Sequence, residues 1–135
     1  METKIEQTNE QNKVVRALLK EPDKPPRLID VSFDLPKRIS RENALETVKD
    51  IINPDSVYPI MEQEYNKKIT LYMGERGTYN FSIGWQFVLG SVLFMRTRNF
   101  NNSVTFCPSD LTDMEIKRIC AAFGWKLQEG DKDNA

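Results

Sequence analysis

From Tyr79 to Leu89 every odd-numbered residue is large and apolar (Tyr79, Phe81, Ile83, Trp85, Phe87, Leu89), while the even ones run Thr78, Asn80, Ser82, Gly84, Gln86, Val88. A period of two held this long predicts a β-strand with one buried face. The constraint extends to the neighbouring segments, because a pairing slipped by one residue would send every apolar side chain to the wrong side.

Lys67 to Met73 alternates Ile69, Leu71 and Met73 against Lys68, Thr70 and Tyr72. A two-residue loop at Glu75-Arg76 would put the two apolar sets on opposite faces. A three-residue loop, Glu75-Arg76-Gly77, instead pairs Met73 with Tyr79, Leu71 with Phe81 and Ile69 with Ile83, and sets Gly77 where such loops need a left-handed residue. Gly90-Ser91 then suits a two-residue loop that pairs Leu89 with Val92, Phe87 with Phe94 and Trp85 with Arg96. Ser103 to Cys107 returns through Asn99-Phe100-Asn101, pairing Phe94 with Phe106 and Arg96 with Val104. The expectation is a four-stranded antiparallel meander over about residues 67–107, with Trp85 in the core.

The rest of the chain supplies helices and flanking strands. Val14, Val15, Leu18 and Leu19 share one side of a helical wheel, which predicts a short helix from about Glu10 to Lys20. Glu21-Pro-Asp-Lys-Pro-Pro-Arg27 reads as a linker, since Pro25-Pro26 continues neither a helix nor a central strand. Leu28 to Leu35 alternates Ile29, Val31, Phe33 and Leu35 against Asp30, Ser32 and Asp34, a strand with an acidic wet side. Ser40 is a good N-cap for a helix carrying Ala44, Leu45, Val48, Ile51 and Ile52 up to Asn53-Pro54. Residues 57–66 read as loop or edge strand, because Pro59 removes a ladder donor. Thr112-Asp-Met-Glu115 has the spacing of a capping box, and Ile116, Ile119, Cys120 and Phe123 follow at helical intervals up to Gly124. Trp125 and Leu127 suggest a last short strand. The sum is an α+β fold with helices packed on one face of an antiparallel sheet, a ferredoxin-like core with extra strands being one topology of that kind. Residues 1–27 read as N-terminal helix and Pro-rich linker, 28–128 as a single domain and 129–135 as a disordered tail.

Composition narrows the chemistry. A chain of 135 residues can bury a core without metal or disulfides, and 19 Lys and Arg against 20 Asp and Glu leave no global field for nucleic acid or anionic membrane. The N-terminal segment has no apolar signal region, and the apolar-leaning run Ile83 to Met95 falls well short of the roughly 20 residues a membrane span requires. With two cysteines, these features predict a cytoplasmic, reduced protein. There is no histidine at all, which removes Ser-His and Cys-His nucleophiles and imidazole metal sites. Cys107 and Cys120 match no zinc spacing, and the acidic groups Asp30/Asp34 and Asp110/Asp113/Glu115 lack calcium-loop spacing. No metal or cofactor site is expected.

Two surfaces remain as candidates. By parity the non-core face of the meander has an apolar centre of Val88, Leu93 and Met95 near Tyr72, ringed by polar residues that include Gln86. The third meander strand and its loop add Arg96, Arg98 and Phe100, arginines beside an aromatic that suit protein or single-stranded nucleic acid. The succession strand, helix, strands, helix, strand resembles that of RNA-recognition motif proteins, and Arg76-Gly77-Thr78-Tyr79-Asn80-Phe81 resembles their Arg-Gly-aromatic strand. In that family the stacking aromatics point to the open face, whereas here Tyr79 and Phe81 belong to the core-facing set. Asp30, Ser32 and Asp34 on the first strand would also repel phosphate, so the chain is not assigned to it. The leading expectation is a small non-catalytic adaptor, inhibitor or regulatory subunit that binds a protein partner through Tyr72, Gln86, Val88, Leu93, Met95, Arg96, Arg98 and Phe100. A small RNA- or single-stranded-DNA-binding domain is the alternative, and an enzyme using carboxylates or a thiol the second alternative.

Overall fold

A computed structural model describes residues 12–34, 39–55, 60–74, 77–98 and 105–128. In chain order the elements are β1 (Asn12–Lys20), β2 (Arg27–Asp34), β3 (Ile39–Ser40), α1 (Arg41–Ile52), β4 (Met61–Glu64), β5 (Ile69–Met73), β6 (Tyr79–Ile83), β7 (Gln86–Leu89), β8 (Val92–Arg98), β9 (Thr105–Ser109) and α2 (Asp113–Phe123). The class is mixed α+β in a single small domain, and the strand pairings among the described residues are antiparallel. A seven-stranded sheet runs β2-β1-β8-β5-β4, with β9 joining β8 and β3 joining β9. Strands β6 and β7 form a separate two-stranded hairpin.

The segment expected as an N-terminal helix is strand β1, paired along its length with β2 from Asn12↔Asp34 to Leu19↔Arg27. Val15, Ala17 and Leu19 are buried on one face, and Leu18 and Lys20 on the other. A strand covered on both faces has no alternation to display, and the run Val-Val-Arg-Ala-Leu-Leu imitates a helical stripe. The segment expected as a linker is the connection of this hairpin, with Asp23 at a positive φ of 62°. Strand β1 lies between β2 and β8 in the sheet.

The expected meander is also rearranged. Strand β5 pairs directly with β8, placing Met73 opposite Val92, Leu71 opposite Phe94 and Ile69 opposite Arg96. The long strand expected over 79–89 is folded in two at Gly84-Trp85, where Gly84 has a φ of 58° and Ile83 faces Gln86 across the turn. Two-residue hairpin loops require such a residue. Strand β9 pairs with β8 as Arg96↔Ser109 and Arg98↔Cys107, so that Arg96 meets Ser109 rather than the expected Val104 and the parity is reversed. Residues 61–64, left between loop and edge by the sequence, form edge strand β4 against β5.

The sheet is covered on both sides. On one face Val15, Ala17, Leu19, Val31, Phe33, Tyr72, Leu93 and Met95 pack with Ala44, Val48 and Ile52 of α1. On the other, Leu18, Ile69, Leu71, Met73, Val92 and Phe94 pack with Ile116, Ile119 and Cys120 of α2 and with Phe81 and Val88 of the hairpin. The two helices thus serve different core clusters rather than the shared face expected. Local signals fixed both helices. The capping box of Thr112 and Glu115 is formed, and α2 stops at Gly124 with a φ of 69°. No described helix is long and apolar enough to cross a membrane.

Candidate functional site

Alternation and turn chemistry together decide what the β6–β7 hairpin shows to solvent. The pairs Phe81↔Val88 and Ile83↔Gln86 lie on its inner side, and Ser82↔Phe87 on the outer. A bulge between Tyr79 and Phe81 accommodates Asn80 as an extra residue, which puts Tyr79, paired with Leu89, on the same outer side as Phe87. The outer rings meet edge to face at 5.8 Å, and the Tyr79 hydroxyl is 2.8 Å from Ser82 Oγ. Trp85, at the turn, is 101% exposed, Phe87 73% and Tyr79 56%. Three large aromatic side chains therefore stand in water on one small element.

The inner side holds this element in place. Phe81 packs at 4.9 Å on Trp125, 5.0 Å on Phe123 and 6.3 Å on Phe94. The bulge turns Asn80 inward, where its Nδ2 donates to the carbonyls of Lys20 and Gly90 at 2.9 and 2.7 Å. Its Oδ1 accepts from Lys20 Nζ at 2.9 Å. Lys20 is itself buried, donates to the Glu21 carbonyl and lies 5.4 Å over the Trp125 ring. Desolvation by burial pulls its pKa below the usual lysine value, against the opposing fields of Asp23 and Glu21. Gln86 Nε2 donates to Gln63 Oε1 at 2.9 Å, tying the hairpin to edge strand β4. Beside it Met61, Met73, Gly74, Gln86, Phe87 and Leu89 line a cavity of about 340 Å³. A half-exposed Met61 extends the apolar surface across to β4.

The residues singled out from the sequence are distributed differently. Tyr72, Leu93 and Met95 are fully buried under α1, and Val88 is fully buried between the hairpin and the sheet. The face they were expected to leave open is closed, because α1 lies over it and the turn at Gly84-Trp85 reverses the parity of Val88. Gln86 is half-buried on the hairpin. Arg96 is half-buried and its Nε donates to Glu115 Oε2 at 3.2 Å. The backbone of Arg98 pairs with Cys107, while the Arg98 side chain and Phe100 lie outside the described residues. Thr70 and Thr97 are buried and bonded to each other at 2.8 Å. Trp85, Phe87 and Tyr79 were assigned to the core by the odd-number pattern. The signal that could have separated them is Gly84, a residue that weakens a strand interior and marks turns.

Several other polar groups hold the fold. Arg16 N–H donates to Asp110 Oδ1 at 2.7 Å, and its guanidinium donates to the Leu111 carbonyl and to Asp113. Glu115 Oε1 accepts from Thr112 N–H. Burial pushes the Cys120 thiol up, away from the reactive thiolate. Comparison of the chain with models of protein families, with curated proteins and with solved structures finds no match.

Proposed function

We propose that this protein is a small non-catalytic binding domain, an intracellular adaptor, inhibitor or regulatory subunit, which engages a protein partner through the outer side of the β6–β7 hairpin. The observation that carries this reading is the full exposure of Trp85 beside Phe87 and Tyr79. Exposed aromatic surface gains free energy when covered, and tryptophan and tyrosine are enriched among residues that dominate binding energy. The hairpin's anchorage supports the same conclusion. With Asn80 and Lys20 pinned beneath, the aromatic face is presented with little ordering left to lose on association.

The test compares immobilised wild-type protein with the W85S/F87S double variant in nuclease-treated extracts. A partner identified by mass spectrometry should be captured by the wild type and lost by the variant, then bind the purified wild type one to one. Capture that survives the double substitution, or that disappears on nuclease treatment of the wild type, overturns the proposal.

A further inference from the structure

A second concave surface lies where the turn between β4 and β5 approaches the first half of α2. It encloses a cavity of about 490 Å³, within the size range of small-ligand sites. Its apolar lining comes from Tyr65, Ile69, Met114 and Ile119. Ile69 and Ile119 are buried core residues, while Met114 is 57% exposed and so forms a lip that a ligand would cover. Tyr65 is braced edge to face on Phe94 at 5.5 Å, which fixes this wall.

The charged lining is one-sided. Lys67, Lys68 and Arg118 border the cavity, and all three are exposed. Among the described residues no ion pair involves them. The carboxylate at hand, Glu115, is already spent: Oε2 accepts from Arg96 and Oε1 from the Thr112 N–H. The Arg96–Glu115 pair leaves no net charge, so three uncompensated cations face an apolar floor. Three positive charges match a phosphate monoester, which carries about −1.5 to −2 at neutral pH, better than a single carboxylate. A lysine pair and a guanidinium also supply several donors for its oxygens.

We infer that this groove binds a small organic phosphate monoester whose apolar body lies on Tyr65, Ile69 and Met114 and whose phosphate is held by Lys67, Lys68 and Arg118. This site is separate from the aromatic hairpin and does not depend on it. The test titrates the full chain with 1-naphthyl phosphate, 1-naphthoate, inorganic phosphate and a single-stranded RNA decamer, following backbone amide shifts by NMR. With 1-naphthyl phosphate the largest shifts should fall on residues 65–69 and 112–119, with saturation at one equivalent. The K67Q/K68Q/R118Q variant should weaken it about tenfold or more, the loss expected when charge-assisted hydrogen bonds are removed. M114A should narrow its advantage over inorganic phosphate, and W85S should change nothing. The site as proposed is overturned if naphthoate or inorganic phosphate binds as well as the ester, if the triple variant retains full affinity, or if the shifts centre on the hairpin. RNA that binds more tightly and displaces the ester would also overturn it, assigning the groove to nucleic-acid backbone instead.

Discussion

Val92, Leu93, Phe94 and Met95 of β8 are completely shielded, whereas Tyr79, Trp85 and Phe87 of the hairpin face solvent, although all three are aromatic. The two regions differ in what surrounds them. Strand β8 has β5 along one side and β1 then β9 along the other, with a core cluster on each face. Among the described residues the β6–β7 hairpin is supported from beneath, through Phe81, Val88 and Asn80, and tied to β4 through Gln86. Hydrophobicity made both segments strands, but position in the sheet order decided which of them became core. Among the described residues no layer covers the outer side of the hairpin, which is why the proposed contact is placed there.

The comparison breaks most visibly at β8. Phe94→Ala should cost about 3–5 kcal/mol, because Phe94 is fully buried against Tyr65, Phe81, Phe123 and Trp125. Chemical denaturation checks it, and a loss below about 1 kcal/mol would show that this cluster is not the centre of the core. Next comes Gly77→Val. Gly77 has a φ of 141°, and a Cβ there would sit 2.6 Å from Gly90 Cα, so backbone would have to move. A loss of about 2 kcal/mol or more in thermal unfolding is expected from strain and lost fit together.

A smaller effect sharpens the account of how the hairpin is held. Asn80→Ala should cost about 1–3 kcal/mol by leaving the buried Lys20 ammonium with one fewer acceptor. Its signature is faster amide exchange in residues 79–89 than in β8, and uniform destabilisation would show that the hairpin and sheet open as one unit. The smallest effect is expected for Trp85→Ser, within about 0.5 kcal/mol of wild type by denaturant midpoint. A large loss there would mean that Trp85 has a covering layer within the fold.

Those four substitutions also mark how far the sequence was legible. The helix over 41–52 and the capping box at Thr112 followed from local spacing, as did the strands at 28–34, 69–73 and 92–98. The helices depend on contacts within a few residues, and the strands on apolar runs bounded by turn residues, although β5 and β8 prove to be covered on both faces. Trp85 was misplaced because a two-residue turn inside an alternating run leaves the odd-number pattern intact while reversing its direction in space. Tyr72, Leu93 and Met95 were read as surface because the sheet was taken to have one covered face. The aromatic surface was therefore visible in the sequence as a set of residues, but on the wrong side.

By itself the sequence determined an antiparallel α+β chain, two helices with their stops, and a chemistry without imidazole, since these rest on composition, short-range periodicity and capping. Tertiary structure alone decided that β1 is a strand, that Met73 meets Val92 rather than Tyr79, and that α1 closes the face of Leu93 and Met95. Each of these compares partners far apart in the chain that satisfy the same apolar pattern. The choice among them is made by how completely all the layers can be covered at once.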